Sequence, residues 1–188
     1  MRSRCKLLIM GGSAGSLQVL IKILPQIQLP IPFAIVIVVH RKNTADTILE
    51  DLIAFKTFIP LQYVEDKLLI EPGVIYVAPS DYHLLFEDKN TIALDASEKV
   101  NYSRPSIDVS FESAAYMFKQ ELVGILLSGA NADGTIGLQI IQKQGGITIV
   151  QKPETAEIPY MPDFAMKNSD PDFVFDEDEI INFLNSNL

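Results

Sequence analysis

The apolar residues of this chain come in short runs that end abruptly in small or polar residues. The first run, residues 7–10, ends in the sequence GGSAGS at residues 11–16, and apolar residues then recur at helical spacing over residues 17–24. This pattern predicts a strand, a tight turn and a helix, in that order. Ser13, at the centre of the turn, is therefore expected to stand exposed where a buried strand ends.

Two further apolar runs end in residues that can carry chemistry. Residues 33–39 form a mostly β-branched run that ends at His40, and residues 122–127 form another that ends in the loop containing Asp133. Continuous apolar runs are typical of strands buried on both faces of a parallel sheet. Because right-handed crossovers place the carboxyl ends of parallel strands at one edge of the sheet, Ser13, His40 and Asp133 are predicted to meet there.

The other elements are predicted from the same alternation of apolar runs and turn residues. Further strands are expected at residues 61–65, 74–77, 147–151 and 173–175, with a β-hairpin over 82–94. Further helices are expected at residues 47–56, 107–120, 135–144, 162–167 and 176–187. The predicted fold class is α/β, a three-layer α/β/α sandwich with a mostly parallel sheet and an antiparallel hairpin, in a single domain over residues 1–188.

Local sequence signals indicate where two of these helices begin. Thr44 or Asp46 is expected to cap the helix over residues 47–56, whose inner face includes Ile48 and Phe55. Ser106 is expected to cap the helix over residues 107–120, with Asp108 in the first turn, where the helix dipole favours a carboxylate.

Composition and charge exclude several classes of protein. The 188 residues are 48% hydrophobic and 21% charged, as in ordinary globular domains. The net charge is −9, the pI is near 4.6, and the basic runs are no longer than Arg41-Lys42, so no nucleic-acid partner is expected. No apolar run approaches the roughly 18 residues of a transmembrane helix, and residues 7–10 are too short for a secretory signal. The single cysteine, Cys5, fits a reducing compartment, so a cytoplasmic protein without membrane insertion is expected.

Ser13, His40 and Asp133 match the three roles of a nucleophilic serine site. The spacing of Gly11, Ser13 and Gly15 is that of a sharp turn which presents a serine hydroxyl. A serine nucleophile needs a base, and the base needs a partner that fixes its tautomer and stabilises the imidazolium. The order serine, histidine, aspartate, with one strand before the serine, excludes the α/β-hydrolase fold, which runs serine, acid, histidine.

Each member of this set has a simpler interpretation. A small-residue loop after a first strand can bind a phosphate or nucleotide, although residues 11–16 match neither common glycine-rich phosphate motif. A histidine after a strand is often structural, and an Asp-Gly pair usually marks a turn. The joint placement of the three residues at strand ends is what favours a hydrolase.

Several stretches of the sequence resemble the catalytic domain of the CheB family, the protein-glutamate methylesterases of bacterial chemotaxis. In chain order they are GGSAGS at 11–16, VVH at 38–40, PGVIYVAP at 72–79, RPSIDV at 104–109, LSGANADG at 127–134 and YMP at 160–162. The resemblance implies Ser13 as nucleophile, His40 as base and Asp133 as its partner, with backbone N–H groups of Ala14 and Ala130 at the oxyanion hole. It implies hydrolysis of glutamyl γ-methyl esters and deamidation of glutamines on chemoreceptors, with no metal or organic cofactor.

Some positions depart from the family pattern. Ala14 stands where the family often has threonine, Ala130 where it often has methionine, and Ala132 where asparagine is usual. These departures motivate a second hypothesis, a catalytically weak or inactive relative that binds a receptor or signalling partner through the same sheet edge. Arg41 and Lys42 replace a more apolar stretch and either attract the acidic surface of a receptor helix or are simply solvated.

The family's usual amino-terminal phosphoacceptor domain has no counterpart in the sequence, since the first strand starts within a few residues of Met1. The expectation is a catalytic domain without a receiver domain. Three explanations stay open: a separate phosphoacceptor protein regulates the enzyme, the enzyme is constitutively active, or the sequence is a piece of a longer protein.

Overall fold

The structure is a computed structural model that describes residues 5–41 and 47–188. Its strands in these residues are β1 (Leu7–Gly12), β2 (Ala34–Val39), β3 (Leu61–Gln62), β4 (Ile75–Val77), β5 (His83–Phe86), β6 (Ile92–Asp95), β7 (Leu122–Leu126), β8 (Ile147–Gln151) and β9 (Phe173–Phe175). Its helices are α1 (Ser16–Ile23), α2 (Ile48–Lys56), α3 (Ile107–Phe118), α4 (Thr135–Lys143), α5 (Tyr160–Ser169) and α6 (Glu177–Asn187). The predicted order of strands and helices is confirmed.

Seven strands form one parallel sheet in the order β3-β4-β2-β1-β7-β8-β9. The chain forms β2, β3 and β4 on one side of β1 and then crosses to form β7, β8 and β9 on the other side. Strand order therefore reverses at β1, and open α/β sheets bind ligands at the carboxyl ends of strands where this reversal occurs. The hairpin of β5 and β6 is antiparallel, as expected, and forms a two-stranded sheet of its own.

The sheet separates two apolar cores because successive side chains of a strand point to opposite faces. Leu8 and Met10 of β1 pack in the core that includes α1 and α6, whereas Leu7 and Ile9 pack in the core that includes α3 and the hairpin. All four side chains are fully buried, and each such burial stabilises the fold by about 1.5–3 kcal/mol. The three-layer α/β fold is confirmed.

Helix α2 differs from the sequence prediction in the face that it buries. Ile53 is buried, but Ile48 and Phe55, which were expected on the inner face, are 69% and 82% exposed. The helix packs mainly against α1 and the two-residue edge strand β3, so only a narrow stripe of it is covered. The predicted caps Thr44 and Asp46 lie outside the described residues.

None of the helices in the described residues is long and apolar enough to cross a membrane.

Candidate active site

Ser13 and His40 lie side by side because β1 and β2 are paired in register. Gly12 is the partner of Val39 in the ladder, so Ser13 and His40 are the next residues of the two strands. The N–H of His40 donates to the carbonyl oxygen of Gly12 at 3.1 Å. Since neighbouring strands are about 4.8 Å apart, the two residues leave the sheet at adjacent points.

The turn after β1 is fixed from both sides. Gly15 has φ +83°, in the left-handed region that glycine tolerates best, and it precedes the first residue of α1. The hydroxyl of Ser16 donates to the carbonyl oxygen of Ser13 at 2.6 Å, and the N–H of Ser13 donates to the carbonyl oxygen of Ser128 at 2.9 Å. The half-buried Ser13 is therefore held between β1 and the loop that follows β7.

His40 and Asp133 are in direct contact. Nε2 of His40 lies 2.7 Å from Oδ2 of Asp133, whose side chain is completely buried, while the His40 side chain is 11% exposed. An ionised carboxylate only accepts hydrogen bonds, so Nε2 carries the proton of the neutral ring. Nδ1 is then unprotonated and is the ring atom that can take up a proton.

Asn131 contacts the other nitrogen of the ring. Its amide nitrogen lies 3.4 Å from Nδ1 of His40, and its amide oxygen accepts the N–H of Asp133 at 3.1 Å. Because a backbone N–H can only donate, the second contact fixes which end of the amide faces His40. Asn131 thus donates to Nδ1, which favours the tautomer with its proton on Nε2.

Asp133 accepts hydrogen bonds from several elements at once. Its donors in the described residues are Nε2 of His40, the N–H of Ile107 at 2.7 Å, the N–H of Asp108 at 3.1 Å, the hydroxyl of Ser106 at 3.0 Å and Nδ2 of Asn101 at 3.1 Å. Two of these donors are N–H groups in the first turn of α3, where the helix dipole favours an anion.

These contacts keep Asp133 ionised. Burial raises the pKa of its carboxyl, but hydrogen bonds from His40 and from the N–H of Ile107, with further donors, outweigh burial and lower the pKa to about 2. Asp133 is therefore a fixed negative charge that can stabilise an imidazolium on His40.

The hydroxyl of Ser13 is not joined to His40. No hydrogen bond links the two side chains, both of which belong to the described residues, although their backbones are adjacent. Catalytic hydrogen bonds are often long or misaligned without substrate and tighten in the complex. The structure thus brings His40 and Asp133 into contact and places Ser13 at the neighbouring strand end, without a hydrogen bond to the ring.

Two backbone N–H groups near Ser13 are available to an anion. Neither Ala14 nor Ala130 donates its N–H to another described residue. The carbonyl oxygen of Ala14 accepts the hydroxyl of Ser128 at 2.8 Å. Gly129 is held by Met161, whose N–H donates to the Gly129 carbonyl oxygen at 2.9 Å. Both alanines therefore lie in loops with a fixed backbone.

Arg41 does not face solvent as a free cation, so the structure differs from the interpretation of Arg41 as a simply solvated charge. Its guanidinium donates to both carboxylate oxygens of Glu50, at 2.7 and 2.9 Å, and to the carbonyl oxygen of Ala78 at 3.1 Å. The Arg41 and Glu50 side chains are only 15% and 7% exposed. The pair ties the end of β2, next to His40, to α2. Lys42 lies outside the described residues.

A cavity of about 490 Å³ lies beside Asn131 and Asp133. Tyr102, Ile136 and Phe164 line it, and Tyr102 is 98% exposed. The cavity offers apolar surface beside the polar site. Within residues 5–41 and 47–188, no group of histidine, cysteine and acidic side chains is arranged to hold a metal ion.

The sequence interpretation missed three of the residues that surround His40 and Asp133. Asn101 and Asn131 were given no role, and Asp108 was assigned only to the first turn of its own helix. The small-residue loop SGANADG contained Asn131, but its distance of 91 residues from His40 left no local signal that the two would meet.

Comparison with known proteins identifies a family. The family described as CheB methylesterase matches residues 8–184. A protein of Leptospira interrogans, provisionally named protein-glutamate methylesterase/protein-glutamine glutaminase, is 40% identical over 177 residues, which cover 92% of this chain and 90% of that protein. The Thermotoga maritima protein-glutamate methylesterase/protein-glutamine glutaminase is 29% identical over 172 residues, and these cover 90% of this chain but 50% of that protein.

A solved structure has the same fold over nearly the whole length. The CheB methylesterase catalytic domain of Thermotoga maritima superposes with a TM-score of 0.92 at 27% sequence identity, covering 98% of this chain and 99% of that domain. The likeness therefore includes the sheet, both helical layers and the loops at the carboxyl edge.

Proposed function

The chain belongs to the CheB methylesterase family, and we propose that it hydrolyses glutamyl γ-methyl esters on chemoreceptors and deamidates receptor glutamines at the same site. One observation carries this proposal: a buried, ionised Asp133 holds the ring of His40 at 2.7 Å, at the strand end next to Ser13. That arrangement supports a base with a fixed tautomer beside a serine hydroxyl.

In the proposed first half-reaction, the oxygen of Ser13 attacks the ester carbonyl carbon of a methylated glutamate. Nδ1 of His40 accepts the hydroxyl proton, and Asp133 stabilises the imidazolium that results. The negative oxygen of the tetrahedral intermediate accepts hydrogen bonds from the N–H groups of Ala14 and Ala130. When the intermediate collapses, His40 returns the proton to the leaving oxygen, so methanol departs and a glutamyl ester of Ser13 remains.

In the second half-reaction, water replaces Ser13 as the nucleophile. His40 takes a proton from water, the hydroxide adds to the glutamyl ester, and collapse returns the proton to the oxygen of Ser13. The product is a glutamic acid side chain, which releases its proton to solvent and becomes a carboxylate. With a glutamine side chain, the first leaving group is ammonia and the second half-reaction is unchanged.

The alternative, an inactive relative that only binds a receptor, was motivated by alanine at positions 14, 130 and 132. Backbone N–H groups do not depend on the side chain, and those of Ala14 and Ala130 have no other partner in the described structure. This supports an active enzyme over a binding module. Regulation by a separate phosphoacceptor protein stays a prediction.

Methanol release from a methylated chemoreceptor tests the proposal. Purified wild-type protein should release methanol, and Ser13→Ala should lower the rate by at least about 10³-fold, since loss of the nucleophile removes the covalent route. Ser186→Ala, which truncates an exposed serine near the end of α6, is the matched control and should leave the rate unchanged. Equal release by wild type and Ser13→Ala, or no release by wild type, would contradict the proposal.

A further inference from the structure

The first turns of α3 and α4 are joined by hydrogen bonds from backbone N–H groups to two aspartate side chains. Asp133, just before α4, accepts the N–H groups of Ile107 and Asp108 in the first turn of α3. Asp108, in the first turn of α3, accepts through Oδ1 the N–H groups of Gly134 at 2.9 Å and Gly137 at 2.7 Å. Each aspartate therefore satisfies free N–H groups at the start of the other's helix.

The contact from Asp108 reaches the backbone directly beside Asp133. Gly134, which follows Asp133, has φ +97°, and its N–H is one of the two groups that Asp108 holds. Gly137 permits the close approach of the two helices, because a Cβ there would lie 2.5 Å from Cβ of Phe111. Asp108 thus anchors the turn that carries Asp133, while the backbone of Asp108 also donates to that same carboxylate.

The side-chain amide of Asn101 lies within hydrogen-bond distance of both carboxylates. Its amide nitrogen lies 3.0 Å from Oδ2 of Asp108 and 3.1 Å from Oδ1 of Asp133. Asp108 is 7% exposed and Asp133 is 1% exposed, so both carboxylates make most of their hydrogen bonds within the protein. None of the hydrogen bonds of Asp108 goes to Ser13 or His40.

We propose that Asp108 is a positioning residue for the reaction: by holding the N–H groups of Gly134 and Gly137, it sets the place of Asp133 and hence the orientation of His40. This inference rests on the proposed role of Asp133 as the partner of His40. The physical reason is that the N–H of Gly134 directly follows Asp133 in the backbone, so loss of its acceptor lets this turn shift. A displacement of about 1 Å at a reacting group can cost about 10²-fold in rate.

Two substitutions of Asp108 separate the effect of its hydrogen-bond acceptor from the effect of its negative charge. Asp108→Ala removes the acceptor and should lower kcat by about 10²-fold with KM little changed, because the Asp108 side chain is 7% exposed and its Oδ1 bonds to backbone N–H groups of the protein. Asp108→Asn keeps an oxygen for both N–H groups and gives up only the bond from Asn101, so kcat should stay within about tenfold of wild type. Asp176→Ala is the matched control: it removes the aspartate that caps α6 by accepting the N–H of Glu179, so it should lower Tm and leave kcat unchanged.

A spectroscopic measurement tests the positioning role of Asp108 without requiring turnover. In ¹H NMR, the proton between Nε2 of His40 and Asp133 should give a downfield signal in wild type, Asp108→Asn and Asp176→Ala, and this signal should shift or vanish in folded Asp108→Ala. If Asp108→Ala does not fold, Asp108→Asn still tests the inference through its retained signal and kcat. The inference is overturned if folded Asp108→Ala keeps both signal and kcat, or if Asp108→Asn loses them. Absence of methanol release by wild type would count against the proposed function alone, since the NMR signal does not need turnover.

Discussion

Asn131 directs its amide nitrogen at Nδ1 of His40, 3.4 Å away, while its amide oxygen accepts the N–H of Asp133 at 3.1 Å. The ring of His40 is thereby contacted at one nitrogen by a donor and at the other by a carboxylate. Both contacts favour the tautomer in which Nε2 carries the proton and Nδ1 is free to accept one from Ser13. The bond from Asn131 is long, so it can give way when the serine hydroxyl turns towards the ring.

Substitution of Asn131 should reveal this role. Asn131→Ala removes a weak donor and should lower kcat by less than about tenfold. Asn131→Asp keeps an oxygen for the N–H of Asp133 but places an acceptor against Nδ1. Nδ1 then favours carrying a proton and cannot accept one from Ser13, so kcat should fall further, on the order of 10³-fold. Methanol-release kinetics on both variants check this order. If Asn131→Asp is the milder substitution, the amide serves only to hold the loop.

The buried pair of Asp108 and Asp133 should make stability depend on pH in a defined direction. Burial, together with repulsion from Asp133, raises the pKa of Asp108 from 3.8 to about 6, although N–H groups of α4 oppose the rise. Its stabilising contribution is full below about pH 4 and is lost as the pH rises through about 6. The stabilising contribution of Asp133 depends on pH in the opposite direction. It is present above about pH 4 and is lost as the pH falls through about 2.

Urea unfolding of wild type and Asp108→Asn between about pH 4 and pH 7 measures the contribution of Asp108 to the pH dependence of the unfolding free energy. Wild type should lose stability relative to the variant as the pH rises, by at most about 1.4 kcal/mol per pH unit. A difference in unfolding free energy that stays constant over this range would show that Asp108 is not protonated in the fold.

Removal of one partner of the Arg41–Glu50 ion pair should destabilise the protein. Glu50→Ala leaves a nearly buried guanidinium without its carboxylate and should lower the free energy of unfolding by about 3–5 kcal/mol. Lys167→Ala removes an exposed ion pair with Asp163 and should change the free energy of unfolding by no more than about 0.5 kcal/mol. Urea denaturation of both variants gives the comparison, and similar losses in the two would contradict the account of the buried pair.

The strand-end positions of Ser13, His40 and Asp133 could be predicted because each follows an apolar run, and parallel strands share one edge. Strand register then determines that Ser13 and His40 are neighbours. The direction of a loop side chain is not encoded in such periodicity. That is why the contact of Asn131 with His40 and the bonds from Asp108 to α4 could not be predicted.

The same limit explains the two differences from expectation that involve α2. Arg41 was interpreted by its charge alone, since its partner Glu50 lies on a helix whose packing the sequence does not specify. Ile48 and Phe55 were assigned to an inner face, but the edge strand beneath α2 is too short to cover them. Periodicity predicts which residues share a helix face and does not predict how much of that face a neighbour covers.

The central claim is that Ser13 is the nucleophile, and covalent labelling tests it most directly. A fluorophosphonate probe should modify the wild-type protein at one serine, and fragmentation mass spectrometry should place the adduct on Ser13 rather than Ser16 or Ser128. The hydroxyls of those two neighbours already donate to backbone carbonyls, at 2.6 and 2.8 Å. The account predicts an adduct on Ser13 that is absent from Ser13→Ala and strongly reduced in His40→Ala. An adduct on another serine, or none on a protein that releases methanol, would contradict it.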